Sequence, residues 1–171
     1  PTATNTGAYC EGATISLSTP AVAGATYTWS GPNGYTSNDQ NPTIANATTA
    51  MAGTYSVTIS VNGCTSLAGT TNVVVNATPA TPVASNGGPY CEGATISLST
   101  PAVAGATYTW TGPNGFTSND QNPTIANATT AMAGMYSVTV TTNGCTSLAA
   151  TTDVVVNPTP ATPTATNTGA Y

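Results

Sequence analysis

The sequence of 171 residues contains no Lys, Arg or His and five Asp plus Glu, for a formal net charge of −5. Without cations it cannot neutralise phosphates, which excludes nucleic-acid binding; without His or Lys it cannot build a Ser–His–Asp or Cys–His nucleophile, a Schiff base or a phosphate clamp. No apolar run approaches the roughly 18 residues of a membrane-spanning helix, and the regular alternation of Val, Ile, Thr and Tyr is unlike a disordered chain.

What remains is a folded protein with a neutral surface of Thr, Ser, Asn and Ala, which offers little electrostatic repulsion to neighbours. Shifted by 81 residues, the sequence falls on itself with 13 differences. Cys10 lands on Cys91, Trp29 on Trp110, Tyr55 on Tyr136 and Cys64 on Cys145. The expected domains are repeat one at 1–81, repeat two at 82–162, and the start of a third at 163–171, which restates Pro1–Tyr9. The expected parent is a longer alternating array, and the lack of an initiator Met or signal peptide fits a mature fragment.

Along one repeat the apolar period is two. Thr14-Ile15-Ser16-Leu17-Ser18 puts Ile15 and Leu17 on one face, and Thr26-Tyr27-Thr28-Trp29 puts both aromatics on one side. Gly31-Pro32-Asn33-Gly34 joins a preset φ to residues tolerant of positive φ and predicts a turn. Pro42-Thr43-Ile44-Ala45 reads as a short strand, Ala47 to Ala52 as a corner, and Tyr55-Ser56-Val57-Thr58-Ile59 as a strand with Tyr55, Val57 and Ile59 inward. Asn62-Gly63 marks a tight hairpin, after which the chain returns through Cys64 to Val73-Val74-Val75. Trp29 and Trp110 stand where a sandwich carries its third-strand tryptophan, and Tyr55 and Tyr136 where it carries a tyrosine corner. The fold class expected is all-β: tandem immunoglobulin-like β-sandwiches of about seven strands each.

Two cysteines per repeat suit an oxidising compartment. The pairing expected is Cys10 with Cys64 and Cys91 with Cys145, one bond closing a 54-residue span within each repeat, with buried free thiols as the alternative. Between repeats, Asn76-Ala77-Thr78-Pro79-Ala80-Thr81-Pro82 has prolines spaced for extended, semi-rigid geometry.

No catalytic residue, cofactor or metal ligand is assigned. Two cysteines 54 apart are no zinc cluster. Glu11 and Asp39, with copies Glu92 and Asp120, are the available carboxylate pair for glycoside hydrolysis, but they recur only in step with everything else. Asn38-Asp39-Gln40-Asn41 reads as an Asx-type turn before Pro42 rather than a Ca²⁺ loop. Tyr35 and its counterpart Phe116 are candidate contacts, either for a sugar ring or for packing at the rim of the core or against the adjoining repeat; Tyr9 and Tyr90 share the same readings. Met135 replaces Thr54 on the outward side of its strand and is a candidate self-association contact.

The order Tyr-Cys-Glu-Gly, Tyr-x-Trp-x-Gly-Pro-Asn-Gly, Ala-Gly-x-Tyr-Ser-Val-Thr and Asn-Gly-Cys-Thr-Ser resembles the immunoglobulin-like repeats of large Bacteroidota cell-surface proteins. The resemblance covers both repeats and implies a giant adhesin or surface filament exported by the type IX route, with the modules as scaffolds. The reading is therefore a non-enzymatic, structural repeat segment of an extracellular surface filament or adhesin stalk, self-associating with neighbouring repeats or chains. The alternative is an array of glycan-binding modules gaining avidity by repetition, and a third reading is a spacer in a secreted polysaccharide-degrading enzyme.

Overall fold

A computed structural model describes residues 1–167 and 169; the expected start of a third repeat, 163–171, lies partly outside the described residues. The first repeat forms ten short strands: β1 (Thr4–Asn5), β2 (Tyr9–Cys10), β3 (Ile15–Ser18), β4 (Thr26–Ser30), β5 (Thr36–Ser37), β6 (Thr43–Ile44), β7 (Gly53–Val61), β8 (Cys64–Thr65), β9 (Gly69–Val73) and β10 (Val75–Asn76). The second repeats the set as β11 (Ser85–Asn86), β12 (Tyr90–Cys91), β13 (Ile96–Ser99), β14 (Thr107–Gly112), β15 (Phe116–Ser118), β16 (Thr124–Ile125), β17 (Gly134–Thr142), β18 (Cys145–Thr146), β19 (Ala150–Val154) and β20 (Val156–Asn157). Among the described residues the only helical elements are three-residue 3₁₀ turns at Pro32–Gly34, Thr49–Met51, Pro113–Gly115 and Thr130–Met132.

Among the described residues each repeat has three sheets, of five, three and two strands. In the first repeat, β5, β4, β7 and β8 lie in that order, with β9 on β7; β1, β3 and β6 form the second sheet, and β2 pairs parallel with β10 in the third. The register turns alternation into a core. Trp29 faces Val57 and Tyr27 faces Ile59 across β4–β7, while Ile15 faces Ile44 across β3–β6. Trp29, Ile15, Leu17, Tyr55, Val57 and Val73 are fully buried, and the residues between them on each strand point away. The second repeat buries Trp110, Ile96, Leu98, Tyr136, Val138 and Val140 in the same way.

The turns follow the local chemistry. Asn33 (φ 55) and Gly34 (φ 72) finish the Pro-led turn, and Asn62 (φ 50) with Gly63 (φ 80) makes the hairpin between β7 and β8. Both angles of the second pair lie in the left-handed region, which matches the right-handed twist of flanking strands.

By contact density the residues group into two compact units. Pro1–Pro79 and Thr142–Thr146 form one unit; Ala80–Thr141 and the described residues from Ser147 onward form the other. The expected pairing of Cys10 with Cys64 and of Cys91 with Cys145 is corrected: Cys10 bonds to Cys145, and Cys64 and Cys91 are free. Strand register supplies the reason. Gly53 pairs with Val73 at one end of β7, and Val61 pairs with Cys64 at the other. β10 continues past the Val73 end, and there Asn76 pairs with Cys10. Cys10 and Cys64 thus stand at opposite ends of a nine-residue strand, about 26 Å apart at ~3.3 Å per residue. A disulfide tolerates roughly 7 Å between Cα atoms. The second repeat has the same layout, with Cys91 beside Asn157 beyond the Val154 end of β17 and Cys145 past its other end.

Candidate functional site

The first candidate is an aromatic rim. The turn at Pro32–Gly34 delivers Tyr35 beside the corner tyrosine, with ring centroids of Tyr35 and Tyr55 5.6 Å apart and nearly edge-to-face at 66°. The Tyr55 hydroxyl donates to the Met51 carbonyl at 3.0 Å, and Asn33 Nδ2 donates to the Ala50 carbonyl at 3.0 Å. Together Pro32, Asn33, Tyr35, Ile44, Met51 and Tyr55 line a shallow depression. Its copy is lined by Pro113, Asn114, Phe116, Ile125, Met132 and Tyr136, with Phe116 and Tyr136 centroids 5.5 Å apart. Burial pushes the Tyr35 phenol up, a hydrogen bond to Ser37 opposes it, and the negative charge of Asp39 adds to the rise. Burial likewise raises Tyr55 and Tyr136. Tyr35 and Phe116 are half-buried against the core, Tyr55 and Tyr136 are fully buried, and none of these rings holds a charge to orient a ligand.

Tyr9 presents no such face. It is only 8% exposed, and its hydroxyl accepts from the Ser16 backbone N–H at 3.2 Å and donates to the Ser16 carbonyl at 3.1 Å. Burial pushes its phenol up, but hydrogen bonds with Thr6 and Ser16 outweigh this and leave it below the ordinary value. Tyr90 makes the equivalent bonds to Ser97.

The carboxylates are dispersed into local structure. Glu11 accepts from the Thr78 N–H at 3.4 Å and Glu92 from the Thr159 N–H at 3.2 Å, each anchoring the start of a proline-rich segment. Asp39 and Ser37 hydrogen-bond each other at 3.2 Å, as do Asp120 and Ser118 at 3.4 Å. Met135 is 63% exposed and lies across from Asp153, whereas its counterpart Thr54 lies across from Asn72. Both members of that cross-strand pair therefore change together between repeats.

The second candidate is the bonded hairpin of residues 142–146. Asn143 (φ 48) and Gly144 (φ 80) form its tip. Asn76 Nδ2 donates to the Asn143 carbonyl at 3.1 Å. Cys10 Sγ lies 3.8 Å from the Gly144 carbonyl oxygen and Cys145 Sγ 3.9 Å from that of Asn76. The Cα atoms of Cys10 and Cys145 are 5.6 Å apart, and Cys145 is 1% exposed. The platform is the parallel pair β2–β10, tied by Tyr9 N–H to the Val74 carbonyl at 2.9 Å and by Glu11 N–H to the Asn76 carbonyl at 3.0 Å. It is built again in the second repeat, where Tyr90 bonds Val155 at 2.9 Å and Glu92 bonds Asn157 at 3.0 Å. Cys91 and Asn157 on that copy are exposed, and so is the unbonded hairpin cysteine, Cys64. Asn76 and Asn143 escape sequence reasoning because one reads as the start of a linker and the other as a turn former.

No family model matches the sequence, and no curated protein matches it. Solved structures do resemble it. A marsupial T cell receptor shares 15% identity over 95% of this chain and 74% of its own, with a TM-score of 0.58. The fold is immunoglobulin-like. A chain of the mouse coronavirus receptor-binding domain complexed with its murine receptor shares 14% identity over 90% of this chain and 100% of its own, with a TM-score of 0.51. Extracellular domains 3–5 of Drosophila OTK share 15% identity over 90% of this chain and 60% of their own, with a TM-score of 0.51. At such identities these likenesses speak to immunoglobulin-like architecture alone.

Proposed function

We propose that the chain is a non-enzymatic structural segment of an extracellular surface filament or adhesin stalk, built by repetition of one immunoglobulin-like module. The observation that carries this is the Cys10–Cys145 bond, which joins a cysteine of the first repeat to the hairpin of the second within one compact unit. A recognition module needs no covalent tie between consecutive copies; a chain under tension gains from one. The bond closes 135 residues, which the chain-entropy model values at about 5 kcal/mol. The disulfide supports an oxidising compartment, and the neutral surface supports close approach of neighbouring repeats or chains. The resemblance to Bacteroidota surface repeats supports type IX export to the cell surface.

The aromatic depression favours a second reading, in which Tyr35 and Phe116 bind glycan and repetition supplies avidity. Two measurements separate the readings. Immunogold electron microscopy of intact source cells, with antibody to this chain, should decorate surface filaments. A glycan array should show no selective ligand. Labelling confined to the cell interior, or selective glycan binding abolished by Tyr35→Ala with Phe116→Ala, overturns the structural reading.

A further inference from the structure

We infer that Cys91 and Cys64 are two halves of the bond already made by Cys10 and Cys145, each waiting for another copy of the same repeat. Cys91 is the platform cysteine of the second repeat, with the same parallel pairing, the same Glu92 anchor and the same neighbouring Asn157 as Cys10 has in Glu11 and Asn76. Cys64 is the hairpin cysteine of the first repeat, on an Asn-Gly turn whose φ values of 50 and 80 match the 48 and 80 of the bonded hairpin. Strand register forbids either from closing within its own repeat, since platform and hairpin lie at opposite ends of the longest strand. The bonded pair shows what a docked hairpin does to its cysteine: Cys145 is 1% exposed, while Cys64 is exposed and so is Cys91.

The occupant of the open platform is therefore the Asn-Gly-Cys-Thr hairpin of a second copy, and the occupant for Cys64 is a second copy's Tyr-Cys-Glu platform. Asn157 Nδ2 would donate to the incoming Asn62 carbonyl as Asn76 does to Asn143. The chemistry balances with a disulfide oxidant such as oxidised glutathione. A thiolate at Cys91 or Cys64 attacks it, releasing one glutathione thiol. The second cysteine then attacks the mixed disulfide, releasing the other, so two protein thiols are oxidised and one glutathione disulfide is reduced. Every bond made this way joins one repeat to the next and none lies within a repeat. The inference goes beyond the filament reading, because it fixes which cysteine takes which, whatever the assembled array does on the cell.

The test uses the 171-residue chain carrying Cys64→Ser or Cys91→Ser, both at exposed positions, each first shown by circular dichroism to melt like the parent chain. The two variants are mixed in equal amounts with a glutathione redox buffer and resolved on non-reducing gels, one of them isotopically labelled. Random pairing of two exposed thiols gives mixed and like-with-like dimers in equal total amount. The expected result is mixed Cys91–Cys64 dimer exceeding like-with-like dimer by about tenfold, falling toward equality when Asn157→Ala is added to the Cys64→Ser chain. The parent chain should form a ladder of head-to-tail oligomers that reduction collapses. Mixed dimer at or below the random share, no dimer at all, or a Cys64–Cys91 bond within one parent chain overturns the inference.

Discussion

Gly31 lies against the ring of Tyr55 so closely that a β-carbon on residue 31 would overlap ring atoms Cδ1 and Cε1. Gly112 stands in the same relation to Tyr136. The backbone at both glycines is extended, with φ of −167 and −166, so the need for glycine comes from the approach of the ring and not from backbone strain. Because Tyr55 is itself pinned by its hydroxyl to Met51, the ring cannot swing aside without breaking the corner.

Gly31→Ala should therefore destabilise the first unit by about 3 kcal/mol, the upper end of overpacking costs. Tyr55→Phe, which keeps the ring and deletes the bond to Met51, should cost about 1 kcal/mol. Urea unfolding followed by tryptophan fluorescence measures both. A Gly31→Ala change within ~0.5 kcal/mol of the parent, the usual range for a neutral surface substitution, would show that the ring has room.

Chemical cleavage should reveal the disulfide. The three methionines, Met51, Met132 and Met135, divide the chain under cyanogen bromide so that Cys10, the Cys64 and Cys91 pair, and Cys145 fall on separate fragments. Without reduction, fragment 1–51 should migrate bonded to fragment 136–171, and fragment 52–132 should be released alone. Bonds confined within repeats would instead link all three.

Alkaline pH should weaken the fold. Burial raises the phenols of Tyr35, Tyr55 and Tyr136, so the folded state holds their protons more tightly than the unfolded state does. Their contribution is complete below the ordinary tyrosine value of 10.0 and is lost as the pH climbs through the raised folded values. Tyr9, shifted downward, has the opposite sign: its contribution appears above the ordinary value and offsets part of the loss. Melting temperatures from pH 8 to 11 should fall at the alkaline end, and Tyr55→Phe with Tyr136→Phe should flatten the fall. A rise in stability over that range would show that these phenols are not held above their ordinary value.

Salt should matter little. The chain has no side-chain cation, so no side-chain ion pair exists to be screened. Melts at low and at molar sodium chloride should agree within about 3 °C, less than the shift that 1 kcal/mol produces in a domain of this size.

Met135→Thr should leave the melting temperature of the monomer unchanged and reduce self-association at high concentration, read by sedimentation. Thr is what the first repeat carries at this position, and the substitution avoids placing a second carboxylate across from Asp153. Unchanged association would remove Met135 from the contact surface.

Much of this fold is written in local chemistry. Alternation at Ile15, Leu17, Tyr27, Trp29, Tyr55 and Val57 specifies which face of each strand is buried, because a period of two permits only one inward set. Asn-Gly and Pro-Asn-Gly specify their turns, because Asn and Gly accept the left-handed backbone those turns require. Tyr35 follows its turn directly, and that turn sets its ring beside Tyr55. The cysteine partners were not legible in the sequence. Each repeat carries identical cysteines at identical spacing, so pairing within a repeat and pairing with the next repeat are the same pattern in the sequence. Only the register of β7, which holds Cys10 and Cys64 at its two ends, separates them beyond reach and leaves Cys10 to the hairpin at Cys145.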